Sequence, residues 1–330
     1  MDGLVRTWYQ PHPIRWLLAP LSGLYRAVIT LRRALYKRGL LKSSTLSVPV
    51  IIVGNITVGG TGKTPTVIWL AKQLKQAGYK PGIISRGYGG KKTEQPIMVT
   101  EASIASDVGD EPIIIYRQSS CPMVVGSNRV AAGQMLLAHY DCDVIISDDG
   151  LQHYALNRDI EIVVIDGKRE FGNQYCLPAG PLREPLSRLS SVDFIIHNGS
   201  PTPDAVQHNM TLMQHAAINL AEPERSKPLI EFEHTDIHAV AGIGNPQRFF
   251  DQLTAQNITV TAHSFADHHP FQANDLDFGD DKQILMTEKD AVKCQHFANK
   301  NMWYIPIEAT INGKLSQSLL HTLAGLPHHG

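Results

Sequence analysis

An apolar strand that leads directly into a glycine-rich loop and a helix start constrains the fold of this chain more than any other feature. The run is Val48-Pro-Val-Ile-Ile-Val-Gly-Asn-Ile-Thr-Val-Gly-Gly-Thr-Gly-Lys-Thr-Pro65. Glycines in such a loop let backbone N–H groups surround phosphate oxygens, while a following lysine and hydroxyl reach the terminal phosphates and Mg²⁺. The run therefore predicts a phosphate-binding P-loop formed by Thr57, Val58, Gly59, Gly60, Thr61, Gly62, Lys63 and Thr64.

One position of this loop differs from the common pattern G-x-x-x-x-G-K-[ST]. Counting back from Gly62, Thr57 occupies the place of the first glycine. The glycines alone would also suit an ordinary turn, but the preceding strand and the Gly-Lys-Thr ending favour phosphate binding. We expect a subclass of P-loop proteins that binds ATP or GTP with Mg²⁺, with Lys63 at the β- and γ-phosphates and Thr64 as a Mg²⁺ ligand.

Short apolar runs alternate with helical patterns along most of the chain, which is typical of α/β proteins. Continuously apolar strands indicate a parallel sheet that is covered on both faces. The fold class predicted is α/β: a P-loop NTPase-like, mostly parallel sheet covered by helices, with a second, smaller α/β domain and an N-terminal amphipathic helix. The expected strands of the first sheet are residues 50–53, 82–85, 123–126, 144–147, 160–165 and 194–197.

Composition divides the chain into four segments. Near Arg225 it shifts toward charged residues around a short strand, and a second strand-to-helix unit begins near Ala239. We predict a basic amphipathic membrane-surface helix at residues 1–47, a P-loop domain at 48–227, a strand linker at 228–236 and a smaller C-terminal α/β domain at 237–330.

The N-terminal segment is basic, with eight Lys and Arg residues against the single acid Asp2, although the whole chain has a formal net charge of −1. Its arginines interrupt any apolar span of the ~20 residues that cross a bilayer. Two interpretations remain open: the helix lies on a membrane surface, or it docks on its own domain. One apolar stripe is predicted along it, at Leu17, Leu21, Leu24, Val28, Leu31 and Leu35.

Among external partners, a membrane suits this helix better than a nucleic acid does, because its positive charge shares the helix with a leucine face. We therefore predict contact with a membrane surface and no nucleic-acid partner. No obligate protein partner is evident from the sequence.

Paired acids follow another apolar strand, in Cys142-Asp-Val-Ile-Ile-Ser-Asp-Asp-Gly150. A P-loop protein supplies its Walker B acid to Mg²⁺ from such a position, so Asp148 and Asp149 are candidate metal ligands, and which of them binds directly stays open. A solvated turn is the alternative. Asp110, in a loop before a helix, could accept a proton or could cap that helix, and the residues alone favour the cap.

Polar residues in other loops are candidates for contact with anionic substrate groups at the carboxyl edge of the sheet. Arg86 follows a predicted strand, and Arg129 opens a predicted helix. Arg183 could hold a phosphate while Glu184 orders it, or the two could form a surface ion pair. His268 lies beyond the predicted linker, so it could support the reaction only if the two domains meet. Gln152 and His153 extend the polar cluster after the paired acids.

Taken together, these motifs resemble the tetraacyldisaccharide 4'-kinase family, the lipid A 4'-kinases of Gram-negative bacteria. The resemblance covers most of the chain and depends on a P-loop without its first glycine followed by the other motifs. The matching stretches are Gly54-Asn-Ile-Thr-Val-Gly-Gly-Thr-Gly-Lys-Thr-Pro65, Ser85-Arg-Gly-Tyr-Gly89, Gly109-Asp-Glu-Pro112, Asp148-Asp-Gly-Leu-Gln-His153, Gly180-Pro-Leu-Arg-Glu-Pro185, Gly242-Ile-Gly-Asn-Pro246 and Thr287-Glu-Lys-Asp-Ala-Val-Lys293.

The resemblance implies transfer of the γ-phosphate of ATP, with Mg²⁺, to the 4'-hydroxyl of a tetraacylated glucosamine disaccharide 1-phosphate. The product would be lipid IVA, formed at the cytoplasmic face of the bacterial inner membrane by a peripheral or monotopic protein. The resemblance makes Asp110 the general base, His268 its orienting partner and Lys63 a catalytic cation. It implies substrate or phosphate contacts for Arg86, Tyr88, Arg129, Gln152, His153, Arg183 and Glu184.

A membrane-associated P-loop ATPase or GTPase, acting as a switch or as a metal-delivery partner, is the alternative from another class. Many such proteins carry a signature lysine at the position of Val58, where it acts across a dimer interface. The base-reading motif N-K-x-D of G proteins is also absent from the sequence. Both observations weigh against the switch.

Overall fold

Two β-sheets with flanking helices organise the chain in a computed structural model, which describes residues 3–91, 93–199, 208–214 and 216–326. The helices are α1 (Gly3–Tyr9), α2 (Ile14–Lys37), α3 (Lys63–Gln76), α4 (Ala105–Val108), α5 (Asp110–Ser119), α6 (Arg129–His139), α7 (Pro246–Thr254), α8 (Glu288–Cys294) and α9 (Gly313–Ala324). The strands are β1 (Val50–Gly54), β2 (Pro81–Ser85), β3 (Ile97–Val99), β4 (Met123–Val125), β5 (Val144–Asp148), β6 (Ile160–Asp166), β7 (Phe194–Asn198), β8 (His208–Met213), β9 (Ala216–Asn219), β10 (Ser226–Pro228), β11 (Asp236–Ala241), β12 (Thr259–Ser264), β13 (Gln283–Thr287), β14 (Met302–Ile305) and β15 (Glu308–Ile311).

The first sheet has nine strands in the order β15-β8-β7-β6-β1-β5-β2-β4-β3. Its seven inner strands run parallel, and the edge strands β3 and β15 are antiparallel to their neighbours. All six strands predicted from continuous apolar runs are present and adjacent in this sheet. Every residue of β1, β5 and β6 is buried, as expected for parallel strands covered on both faces. The predicted fold class is confirmed.

Helices cover both faces of the first sheet because the side chains of its strands alternate between them. In β1, Ile51 and Val53 belong to one hydrophobic core, which α3, α5 and α9 complete. Val50 and Ile52 belong to the other core, which α6 completes and against which residues of α2 pack. This arrangement places the carboxyl ends of the parallel strands at one edge of the sheet, where the loops between strand and helix meet.

The second sheet has the order β10-β9-β14-β13-β11-β12, with four parallel strands and two antiparallel ones, β9 and β10. Its membership differs from the predicted boundaries at 227 and 237. The strands β9 and β10 already belong to it, whereas β15 and α9 return to the first sheet. Within the segment 228–236, expected as a strand linker, Leu229–Phe232 forms a 3₁₀ helix, because Leu229 and Phe232 bury their side chains in the second core.

The N-terminal helix α2 packs against the core on one face of the first sheet and leaves most of its leucine stripe exposed. Ser22 is its buried residue and donates its hydroxyl to the Cys176 carbonyl oxygen at 2.7 Å. The Tyr25 hydroxyl donates to the Arg183 carbonyl oxygen at 3.1 Å. Leu17 and Leu24 are 77% and 65% exposed. No helix in the described part of the chain combines the length and the apolar character needed to span a membrane.

Candidate active site

The P-loop joins β1 to α3 and takes a backbone path that requires glycine. Gly59 and Gly62 have φ angles of 103° and 100°, in the left-handed region that glycine favours. A Cβ on Gly62 would also lie 2.7 Å from the Asn198 side-chain nitrogen. The helix α3 begins at Lys63, immediately after the loop, so its free N–H groups and positive dipole end lie where the sequence predicts phosphate binding.

Thr57, in the position of the missing glycine, is buried and pairs with Leu182 in an isolated antiparallel bridge. The Val58 N–H donates to the Pro181 carbonyl oxygen at 2.9 Å. This extended pairing suits a β-branched residue, which explains how the loop keeps its shape without the first glycine. The proline-bounded loop 180–185 therefore supports the P-loop.

Three polar side chains that the sequence did not single out hold the P-loop in place. Asn55 donates to the Gly59 carbonyl oxygen at 3.3 Å, and Asn198 donates to the Thr61 carbonyl oxygen at 3.0 Å. The Arg169 guanidinium donates to the Gly60 carbonyl oxygen and forms an ion pair with Asp166. Asp166 and Asn198 are the last residues of β6 and β7. Their positions at the carboxyl ends of strands could have indicated from the sequence that they lie near the P-loop.

Asp148 ends β5 and is buried, with 3% of its surface exposed. Its Oδ2 accepts from the Ser85 hydroxyl at 2.9 Å, whereas its Oδ1 is buried and has no hydrogen-bond partner among the described residues. Burial, together with the charges of Glu111 and Asp149, raises the pKa of Asp148 to about 7. A cation would satisfy this orphaned oxygen, so the site suits a metal ion such as Mg²⁺.

Asp149 is already paired with cations. Its Oδ1 lies 3.5 Å from Lys63 Nζ and 3.1 Å from Arg183 Nη1. Burial alone would raise the pKa of Asp149, but Lys63 and Arg183 together lower it below its ordinary value. Asp149 has a φ angle of 47°, in the left-handed region, and its carboxylate lies beside the first residue of α3. Asp149 therefore orients Lys63 and Arg183 in this structure.

The remaining predicted substrate residues separate into buried and accessible ones. Arg129 is buried and donates to the carbonyl oxygens of Gly126 and Asp148 at 2.7 and 3.3 Å. It thereby connects the carboxyl ends of β4 and β5. Burial lowers the pKa of Arg129 to about 10. Arg86 and Tyr88 are exposed at the same edge of the sheet.

His153 lies among cationic side chains. Burial, followed by the charges of Arg129, Arg158, Arg32 and Arg86, lowers the pKa of His153 to about 4. The imidazole is therefore neutral at physiological pH.

Glu184 is buried at the centre of a polar network beneath α2. Its carboxylate accepts from Gln152 at 2.8 Å and from the Tyr154 hydroxyl at 2.6 Å, and it forms an ion pair with Arg188 at 3.2 Å. Gln152 also donates to the Asn55 carbonyl oxygen at 3.1 Å. Arg183 and Glu184 therefore do not form the surface ion pair that was one of the two interpretations of the sequence. Glu184 instead orders the loop, and Arg183 pairs with Asp149.

Asp110 and His268 meet although they are 158 positions apart in the sequence. Asp110 is buried at the start of α5, and its Oδ2 lies 3.0 Å from His268 Nδ1. Burial alone would raise the pKa of Asp110, but the hydrogen bond to His268 and the charge of Lys289 lower it below its ordinary value. The same hydrogen bond raises the pKa of His268. The N-cap position of α5 belongs to Gly109 and not to Asp110, although Asp110 Oδ1 accepts from the Glu111 N–H in the first turn at 2.8 Å.

The loop that contains Tyr88 packs against this pair. The Tyr88 ring lies 5.3 Å from the His268 ring, and 66% of the tyrosine surface is exposed. Gly109 has a φ angle of 92°, and a Cβ there would overlap the Tyr88 carbonyl oxygen. A glycine at position 109 therefore allows the loop to approach the acidic start of α5.

The arrangement resembles known proteins over almost its whole length. A family model described as tetraacyldisaccharide-1-P 4'-kinase matches residues 14–324. The chain belongs to the tetraacyldisaccharide-1-P 4'-kinase family. Two curated proteins called tetraacyldisaccharide 4'-kinase are each 51% identical to it: that of Nitrosococcus oceani, over 97% of this chain and 94% of its own length, and that of Methylobacillus flagellatus, over 98% and 96%.

A solved structure shares the fold. It is a crystal structure of LpxK from Aquifex aeolicus, described as an "apo" form in complex with ATP, with a TM-score of 0.79 and 28% sequence identity. The match covers 94% of this chain and 99% of the other. Membership of the 4'-kinase family thus agrees with the resemblance seen in the sequence motifs.

Proposed function

We propose that this member of the 4'-kinase family transfers the γ-phosphate of ATP to the 4'-hydroxyl of a tetraacylated glucosamine disaccharide 1-phosphate, forming lipid IVA in lipid A biosynthesis. Family membership supports the substrate and the reaction. The observation that supports the chemistry most directly is the Asp110–His268 pair at the same sheet edge as the P-loop. Phosphoryl transfer to an alcohol needs a carboxylate of this kind to accept the hydroxyl proton.

The P-loop residues 57–64 hold the nucleotide phosphates in this proposal. Backbone N–H groups at the loop and at the start of α3 bind phosphate oxygens, and Lys63 stabilises negative charge on the transferring group. Thr64 and Asp148 would hold Mg²⁺, with Asp149 adjacent. When bound, Mg²⁺ would neutralise part of the negative charge of the nucleotide phosphates. The Asp149 carboxylate contacts both Lys63 and Arg183. In this proposal the contact keeps the Lys63 side chain directed toward the phosphates.

Asp110 accepts the proton of the 4'-hydroxyl in this mechanism. His268 donates its Nδ1–H to Asp110 Oδ2 and so fixes the direction of the other lone pairs of the carboxylate. Because the pKa of Asp110 lies below its ordinary value, the carboxylate is ionised at neutral pH and available as a base. Arg86, Tyr88 and Arg183 are accessible for contact with the sugar and its phosphate, whereas Arg129, Gln152, His153 and Glu184 position the loops around them.

Transfer of labelled γ-phosphate from ATP to a tetraacyl disaccharide 1-phosphate in detergent micelles tests the reaction. We expect label in the lipid, and none in an otherwise identical lipid whose 4'-oxygen is methylated. Phosphate release that does not depend on the lipid, with no labelled lipid, would support the switch ATPase instead.

We further propose that α2 binds the inner-membrane surface at its cytoplasmic face. The exposed stripe includes Leu17, Leu21, Leu24, Val28 and Leu31, with Trp16 beside it. Arg26, Arg32 and Arg33 lie on the same helix, where they can contact anionic headgroups. Arg32 also donates to the Gln152 carbonyl oxygen at 3.2 Å. The membrane helix therefore lies directly against the network that orders the candidate active site.

Replacing Leu17, Leu21 and Leu24 together with glutamate is expected to weaken binding to vesicles of anionic phospholipid by roughly tenfold or more, because each leucine loses apolar burial in the bilayer. Co-sedimentation measures this. The matched control is Ile230→Glu, since Ile230 is 66% exposed but lies near the second sheet. Equal loss of binding in the control, or none in the triple variant, would contradict the membrane role of α2.

A further inference from the structure

The segment Thr287-Glu-Lys-Asp-Ala-Val-Lys293 consists of the last residue of β13 and the first six residues of α8, and α8 packs against α5. Its Asp290 is completely buried. The Asp290 carboxylate accepts from the Thr287 hydroxyl at 2.6 Å, from the Gly242 N–H at 2.9 Å and from Lys293 Nζ at 2.8 Å. These contacts attach the start of α8 to the end of β11.

The same carboxylate also positions the loop that contains His268. The carbonyl oxygen of Gly242 accepts from the His268 N–H at 3.3 Å, while the Gly242 N–H donates to Asp290. His268 has a φ angle of 60°, so this backbone contact holds it in an uncommon conformation. Asp290 thus anchors both His268 and its own neighbour in the chain, Lys289, at one edge of the second sheet.

Lys289 reaches across to the first turn of α5. Its Nζ lies 2.7 Å from Glu111 Oε1, and the side chains are 26% and 34% exposed. Burial alone would lower the pKa of Lys289, but Glu111, Asp110 and Asp267 raise it, so the ammonium stays charged. Lys289 and His268 therefore approach adjacent residues of α5, Glu111 and Asp110.

We propose that Lys289 is a positioning residue for the Asp110–His268 pair: it neutralises Glu111 and holds the first turn of α5 in register with the edge of the second sheet. This inference rests on the proposed function, because it concerns the surroundings of the base of that reaction. Without the ammonium, the carboxylate of Glu111 would be unpaired beside that of Asp110. The charge of Glu111 also raises the pKa of Asp148. Like charges at this spacing repel and disfavour ionisation of their neighbours.

The charges around the pair determine the direction of the expected pH effect. Burial opposes ionisation of Asp110, whereas His268, Lys289 and Lys293 favour it. For His268, Asp110 and Asp267 favour the charged form, and burial and Lys289 oppose it. Loss of the Lys289 charge consequently raises the pKa of both members of the pair. The pair would then become protonated at higher pH, which moves the acidic limb of the rate profile upward.

The test compares Lys289→Met, Lys289→Arg and Arg117→Met in the full chain. Arg117 donates at 2.6 Å to Gln295, which directly follows α8, so it is a cation at the far end of the contact between α5 and α8, roughly 10 Å along the helix from Asp110. We expect Lys289→Met to lower kcat about tenfold and to shift the acidic limb of kcat/KM upward by about one pH unit. Lys289→Arg should restore the position of the limb, and Arg117→Met should leave it in place.

A second readout does not require lipid phosphorylation. NMR titration of the His268 imidazole, assigned by comparison with His268→Gln, should give a higher pKa in Lys289→Met than in the wild type and an unchanged one in Lys289→Arg. An unchanged limb and an unchanged His268 pKa in Lys289→Met would overturn the inference. Absence of lipid phosphorylation by the wild type would instead remove the proposed function, and the titration would still decide whether Lys289 acts on the pair.

Discussion

Replacing Asp110 with asparagine is expected to lower kcat by about 10²–10⁴-fold, the usual contribution of a general base, while ATP still binds. Asparagine has the same shape, but its single oxygen can accept either from His268 Nδ1 or from the Glu111 N–H, which Asp110 satisfies with separate oxygens at 3.0 and 2.8 Å. What is lost is the ability to take up the hydroxyl proton. Steady-state phosphorylation of the lipid, with nucleotide binding measured separately, gives both quantities.

Asp275→Asn is the matched control for this variant. The Asp275 carboxylate lies 3.1 Å from His269 Nε2, so it forms a second Asp–His contact next to His268 in the sequence but away from α5. Its replacement should leave kcat within about twofold of wild type, because Asp275 belongs to the capping box of a 3₁₀ helix and contacts Gln272 and His269 rather than α5. Turnover by Asp110→Asn close to the wild-type rate would remove Asp110 from the mechanism.

Replacing Lys63 with alanine is expected to lower kcat/KM for ATP by about 10²–10³-fold, as found when one preorganised donor to developing charge is removed. Lys63 begins α3 and lies 12% exposed beside Asp149, so it has little freedom to point elsewhere. Its loss also leaves Asp149 with Arg183 alone. Both the affinity for ATP and the rate of phosphate transfer should therefore fall.

Lys72→Ala controls for loss of a lysine from the same helix. Lys72 forms an ion pair with Glu308 at 3.2 Å, and both side chains are substantially exposed. An exposed pair contributes only about 0–1 kcal/mol to stability, so activity should be unaffected. If Lys63→Ala kept its activity within a factor of about three, the P-loop lysine would have no part in stabilising the transferring phosphate.

Local sequence patterns predicted the parts of the fold that depend on local physics. Continuous apolar runs identified the six adjacent parallel strands, and the strand, loop and helix order identified the P-loop. The edge strands of the first sheet, β3 and β15, were not predicted. β15 is short and half exposed, and its neighbour α9 is amphipathic, so nothing in their sequence indicates to which of two sheets they belong.

The candidate site was predictable where residues follow strand ends, and not where contacts are long-range. Asp148 ends β5 and Asp149 follows it, so their position could be inferred. Local sequence favoured a helix cap for Asp110. Its contact with His268 joins distant parts of the chain, so local sequence could not indicate it. Only the family resemblance indicated that pairing. Arg129 was expected to contact anionic substrate groups, and Glu184 either to order Arg183 or to form a surface ion pair with it. Their burial was not predicted, since a charged side chain satisfied in the interior has the same local sequence as an exposed one.

The return of the chain to the first sheet has a consequence for biosynthesis. Residues 308–324 are translated after the entire second sheet, yet Leu315, Leu319 and Leu323 of α9 complete the core that also contains Val67 and Leu70 of α3. During synthesis on the ribosome, the first sheet therefore has an uncovered apolar surface until the second sheet and α9 have been translated. Nascent chains stalled before residue 308 should be targets for chaperones, and those that include α9 should not be.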